Sequence, residues 1–103
     1  MNETRLTYLR QCMADDPEDP FAFYALALEL APTQPREALA LHRQVAERFP
    51  DYLPNYYHLA LLCLREGQAT EALHAIDRGA AVARTQRNLK TLAELENLRD
   101  ETA

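Results

Sequence analysis

One spacing pattern occurs twice in this chain, and it limits the fold more than any other feature. Phe23-x2-Leu26-Ala27-x2-Leu30 leads into Ala38-x3-His42, and Tyr56-x2-Leu59-Ala60-x2-Cys63 leads into Ala72-x3-Ile76. Phe23 and Tyr56 are 33 residues apart, and Ala38 and Ala72 are 34 apart. Pro17 stands six residues before Phe23, as Pro50 stands six before Tyr56. Steps of three and four place these side chains on one stripe of a helix. A pattern that returns at a fixed period of roughly 20 to 50 residues marks supersecondary units stacked side by side. The one-residue mismatch falls in the turn from Pro32 to Pro35, which is shorter than the turn around Gly67.

The second copy, Leu53 to Ala83, reads as two helices bent back on each other at Gly67. Tyr56, Leu59, Ala60 and Cys63 form one stripe, and Ala72, Ile76, Gly79 and Ala83 form the other. The small residues Ala60, Ala72 and Gly79 mark where the backbones come closest. A glycine inside a helix costs about 0.5 to 1 kcal/mol relative to alanine, so Gly79 implies a neighbour that leaves no room for a methyl. Gly67 falls where the first helix must end, and its tolerance of positive φ lets the chain reverse.

Ala, Leu, Glu, Arg and Gln dominate, no segment alternates like a strand, and there are two glycines, so the chain is expected to be all-α. A first helix over about residues 3–14 carries Leu6, Leu9 and Met13 and stops in the acidic run from Asp15 to Asp19. Asp19 suits an N-cap and Pro20 the first turn of the next helix, FAFYALALELA, which ends before Pro32. A third helix runs to about Arg48, with Ala38, His42, Val45 and Phe49 along one side, and Pro50 and Asp51 break the chain before the second copy. A final helix over about Thr85 to Glu101 sets Leu89, Leu92, Ala93, Leu95 and Leu98 against charged residues. The expected architecture is an antiparallel helix-hairpin array of about six helices. It divides into a leading half unit over 1–17, whole units over 18–50 and 51–84, and a capping helix over 85–103. The match of Leu89-x2-Leu92-Ala93-x2-Glu96 to the repeat is partial, because its last apolar slot is acidic.

On these residues the chain resembles the tetratricopeptide-repeat family over about residues 5–98. Phe23 and Tyr56 stand for the family's usual Trp, Ala27 and Ala60 for the Gly after the Leu, and His42 and Ile76 for the aromatic of the second helix. His42 puts a polar ring where an apolar one is expected. Arg84 stands where a closing Pro would end the second unit, which lets that helix run on into the C-terminal one.

The resemblance implies a right-handed stack of helix pairs whose first helices line a concave face. That face would carry Phe21, Tyr24, Leu28 and Ala31 from one unit and Tyr57, His58, Leu61, Leu64 and Arg65 from the next. Both helices are apolar nearly all round, interrupted mainly by Glu29 and His58, whereas an ordinary surface helix has one polar face. Either the first and last helices cover this surface, or Tyr24, Leu28, Tyr57, Leu61 and Leu64 form a groove for an apolar helix or extended peptide. The expected function is therefore a protein interaction module or adaptor that binds a partner through the concave face. The alternative is a homodimer that uses the same surface. Some family members grip C-terminal carboxylates with Lys, Arg and Asn in this groove. Here the matching positions hold Tyr24, Leu28 and His58, and Arg65, Arg87 and Lys90 lack the Asn partners.

Other functions find little support. A net charge of −5 argues against non-specific nucleic-acid binding, which needs a basic face. Cys12 and Cys63 lie 51 residues apart with no CxxC or paired-His spacing, and read as reduced. His42, His58 and His74 fall on three predicted helices without a Cys, Asp or Glu at metal or nucleophile spacing. The acidic run lacks the Gly and alternating ligands of a calcium loop. Neither catalysis nor a metal or other cofactor is expected. No apolar run approaches the roughly 20 residues of a membrane span, and MNETRLTYLR lacks the apolar core of a secretion signal, so a cytoplasmic protein is expected.

Overall fold

The computed structural model describes residues 3–102 and contains six helices: α1 (Glu3–Asp15), α2 (Pro20–Leu30), α3 (Pro35–Arg48), α4 (Pro54–Arg65), α5 (Ala69–Gln86) and α6 (Leu89–Thr102). No strand occurs among the described residues. Each helix packs on the next in sequence, so the chain is an antiparallel array with extents of 37 × 28 × 20 Å.

Local chemistry explains most of the boundaries. The Asp19 carboxylate accepts the Phe21 N–H at 3.0 Å, and Pro20, Pro35 and Pro54 open α2, α3 and α4, where a missing N–H costs nothing. Helix α4 ends in a left-handed turn at Gly67, φ 76°, where Gly67 N–H reaches Leu64 O (3.2 Å) and Gln68 N–H reaches Cys63 O (2.7 Å). Helix α5 ends the same way, but on a residue with a side chain. Arg87 takes φ 57°, its N–H reaches Arg84 O (3.1 Å), and Asn88 N–H reaches Ala83 O (2.8 Å). This corrects two expectations: α5 does not run on into the last helix, and Thr85 and Gln86 belong to α5.

The core joins stripes from all six helices. Tyr56, Leu59, Ala60 and Cys63 are buried together with Ala72, Ile76, Gly79 and Ala83, as their spacing predicts. The role of Gly79 is plain from its surroundings: a Cβ there would lie 2.6 Å from Tyr56 Cβ and 3.0 Å from Leu95 Cδ1. Helix α6 differs from its expected stripe, since Leu95 and Leu98 are buried but Leu89 is 73% exposed and Ala93 is also open. At about 100° per residue, Leu89 and Ala93 fall on the side of the helix opposite Leu98. Helix α1 contributes Leu6 and Leu9 to the core, with Met13 packed at its edge.

His42 is the polar ring in an apolar slot, and a second buried polar residue satisfies it. Asn55, 0% exposed, donates through Nδ2 to the His42 carbonyl (2.9 Å). That bond orients the amide, because a carbonyl can only accept. Asn55 Oδ1 therefore receives the proton of His42 Nδ1 at 2.7 Å. This pair ties α3 to the first turn of α4. Burial pushes the His42 pKa below its usual value of 6.5, against the opposing effect of the Asn55 bond.

Candidate functional site at the face of α2 and α4

The apolar residues that helices α2 and α4 do not spend on the core share one face. Toward the C-terminal ends of the two helices lies a hollow of about 330 Å³ lined by Leu28, Ala31, His58, Leu61, Leu62 and Arg65, with buried His42 in its wall. Leu28 is 37% and Leu61 38% exposed, so α1 and α6 leave this part of the face uncovered. Single exposed leucines are ordinary; two on adjoining helices around one hollow make a contiguous apolar spot.

Aromatic rings continue the face toward the N-terminal ends of the two helices. Tyr24 meets Tyr52 (5.5 Å between centroids), His58 (5.6 Å) and His42 (6.2 Å), all edge to face, and His58 meets Tyr57 at 5.6 Å. Tyr24, Tyr52, Tyr57 and His58 border a second hollow, of about 380 Å³, that reaches Glu94 on α6. Burial lowers the His58 pKa, partly opposed by the Glu94 carboxylate, so the ring is neutral at pH 7. Burial also raises the Tyr24 phenol, with a smaller push from Tyr52.

Of the residues singled out in the sequence, Tyr24, Leu28, Tyr57, His58, Leu61 and Arg65 line one or both hollows. Arg65 is also a fastener: its guanidinium donates to the Ala31 carbonyl at 2.7 Å and so closes the C-terminal end of α2. Leu64 is half-buried against the core, and Phe21, 55% exposed in the first turn of α2, stands apart from both hollows. Sequence reasoning missed Tyr52, Glu94 and Asn55. Asn55 did carry a signal, as a lone amide directly before the buried Tyr56.

The face offers aliphatic and aromatic surface, not an activated nucleophile. Cys63 is buried and its thiol is pushed up to about 11, first by burial and then by Glu71, so little thiolate forms at neutral pH. His42 is held inside the core by Asn55. Among the described residues, no group of three or more His, Cys, Asp and Glu side chains is placed to hold a metal ion. No helix of the described residues is long and apolar enough to cross a membrane. Between α3 and α5, Arg43 and Glu71 form a two-pronged ion pair (2.7 and 2.8 Å), and Arg78 donates to Ala46 O at 3.1 Å. These charges bind helices to one another.

The sequence matches the family profile described as tetratricopeptide repeat over residues 29–95, more than half of the chain. Among solved structures, the solution NMR structure of a tetratricopeptide repeat domain protein from Salinibacter ruber is similar, with a TM-score of 0.79 at 39% identity, covering 84% of this chain and 89% of that one. A crystal structure of a tetratricopeptide repeat domain protein from the same organism gives a TM-score of 0.77 at 36% identity, covering 82% and 94%. No curated protein matches the chain. With the duplicated hairpin and its stacked helices, these likenesses show that the chain belongs to the tetratricopeptide-repeat family.

Proposed function

We propose that this chain is an adaptor that holds a partner protein's apolar helix or extended segment against the face of α2 and α4. Tetratricopeptide repeats serve generally in protein–protein interaction, typically as scaffolds without catalysis. The observation that carries the finer reading is the pair Leu28 and Leu61, open side by side around one hollow on adjoining helices. A partner side chain seated there would remove apolar surface from water at about 25 cal/mol per Å². Tyr24, Tyr57 and His58 extend the surface along the helices, Arg65 closes one end of it, and Phe21 and Leu64, which line neither hollow, would join it only where the bound segment runs beyond them.

The test is capture of partners from the native lysate by the full chain and by Leu28→Glu and Leu61→Glu variants. Both side chains are more than a third exposed, so the variants should keep the parent's helical circular dichroism. Partners lost with either variant support the proposal, and the same partners retained by both overturn it. Sedimentation at micromolar concentration separates the homodimer: a dimer that Leu61→Glu dissolves would assign the face to a second copy of the chain instead.

A further inference from the structure

The hollow at the N-terminal ends of α4 and α6 has a chemistry unlike the leucine-lined one. Tyr24, Tyr52, Tyr57 and His58 border it, the exposed Asp51 and Glu94 also line it, and no Lys or Arg is among its lining residues. Tyr24 is tilted 66° to Tyr52 and 65° to His58, and Tyr57 is 86° to His58. Rings set at such angles pair edge to face and do not stack, and the four together give the hollow an aromatic lining whose open faces carry the negative end of the ring quadrupole. An ammonium ion within about 6 Å of such faces is attracted by the ring quadrupoles, and more so when partly desolvated. Both carboxylates add attraction of the same sign, in a chain whose net charge is −5.

We propose that this hollow takes the ammonium head of a lysine side chain, plain or N-methylated, presented by the bound segment. The inference rests on the α2–α4 face being the partner's seat, and it names a residue type that the partner must carry. The helix N-termini nearby would favour an anion, and two features blunt them. Asn88 Oδ1 already accepts the Thr91 N–H at 3.1 Å on α6, and Pro54 brings no N–H to the start of α4. Asp51 and Glu94 would also repel an anion directly.

The experiment is an NMR titration of the full chain with four small probes: N-acetyl-Nε-trimethyllysine amide, its unmethylated lysine counterpart, the neutral N-acetylnorleucine amide, and acetate. Ring signals of Tyr24, Tyr52 and His58 should shift saturably with the two cations, and norleucine should bind about tenfold more weakly, within the roughly 2- to 30-fold range of ring–cation attraction. Glu94→Gln and Asp51→Asn, both at exposed positions, should each weaken the cations by about two- to fivefold and leave norleucine unchanged. Equal binding of norleucine, a preference for acetate over the cations, or no saturable shift would overturn the proposal. The probes need no partner. Failure here beside loss of captured protein with Leu61→Glu therefore removes the cation site and spares the adaptor reading; success here beside unchanged capture does the reverse.

Discussion

The two hairpins, α2–α3 and α4–α5, share a spacing but solve the same packing problem differently. At one shared position the first hairpin buries His42 and the second Ile76, each 1% exposed. The histidine needs Asn55 to satisfy it, while the isoleucine needs only apolar neighbours. Three residues further on, Val45 is fully buried in the first hairpin, where Gly79 stands in the second with Tyr56 too close for any Cβ. The second hairpin is therefore drawn tighter at that point. Its turn is also different: Gly67 ends α4 in a left-handed conformation, whereas α2 ends with Gln34 N–H on Leu30 O at 2.7 Å. A repeat conserves the course of the backbone, and each copy then settles its own core in its own chemistry.

If the hairpins depend equally on what flanks them, removing either flank should be the largest perturbation. Helix α1 covers the first hairpin with Leu6 and Leu9, and α6 brings Leu95, 0% exposed, against Gly79 and Tyr56 in the second. Two whole units are fewer than the three that such arrays usually need. Chains lacking residues 1–16 or 86–103 should lose the cooperative thermal transition in circular dichroism; an unchanged melt for one of them would show that its hairpin stands alone.

Next in size is the polar pair that only the first hairpin owns. Asn55→Ala leaves the buried His42 N–H without its partner and should cost about 1 to 3 kcal/mol in urea unfolding. The double change His42→Ile with Asn55→Ala, which imports the second hairpin's solution, should cost less than the sum of the single changes. The pair also carries a pH signature. His42 has its folded pKa lowered by burial, so below about pH 6.5 the unfolded chain takes up the proton first. Its contribution is full above that pH and is lost as pH falls toward the folded pKa. His42→Ile should flatten the acid limb of the stability profile, leaving the smaller share of half-buried His58, whose pKa burial also lowers.

Close approach distinguishes the hairpins in the opposite sense. Gly79→Ala gains up to about 1 kcal/mol in helix propensity but forces a methyl onto Tyr56 Cβ, which sits on the backbone and cannot swing away. A net loss of about 1 to 2 kcal/mol is expected. At the equivalent position, Val45→Ala should cost a similar amount for the contrary reason, lost apolar contact and a small void. A stabilised Gly79→Ala protein would mean that the second hairpin is no tighter than the first.

The smallest expected effect is a gain. Arg87 ends α5 in the left-handed conformation that Gly67 adopts at the end of α4, a conformation that costs a residue with a Cβ roughly 1 kcal/mol. Arg87→Gly should raise the melting temperature by a few degrees. A lower one would show that the arginine side chain supplies more than the backbone strain takes away.

The positions of the helices were legible because their signals are local. Asp19 with Pro20, Pro32 with Pro35, Pro50 and Gly67 each act within a turn of the chain, and the stripes follow from spacing alone. The stop at Arg87 was not legible, since a left-handed arginine leaves no trace in residue type. Leu89 and Ala93 misled because five apolar positions in a row of spacings span more than one helix face. The role of Asn55 is not legible from spacing, since its partner lies 13 residues away on another helix. The candidate face was legible as a surplus, two helices apolar nearly all round. Which of those side chains turn inward depends on how α1 and α6 lean on their neighbours.

By itself the sequence determined that this protein is a duplicated helical hairpin, where the first five helices start, and which small residues sit at the crossings. These follow from periodicity, capping and backbone sterics, which act over a few residues. Only the tertiary structure decided that Leu28 and Leu61 stay open, that three tyrosines and a histidine from separate segments wall one hollow, and that Asn55 completes His42. Those outcomes depend on the distance and angle between helices far apart in the chain, and no local spacing encodes them.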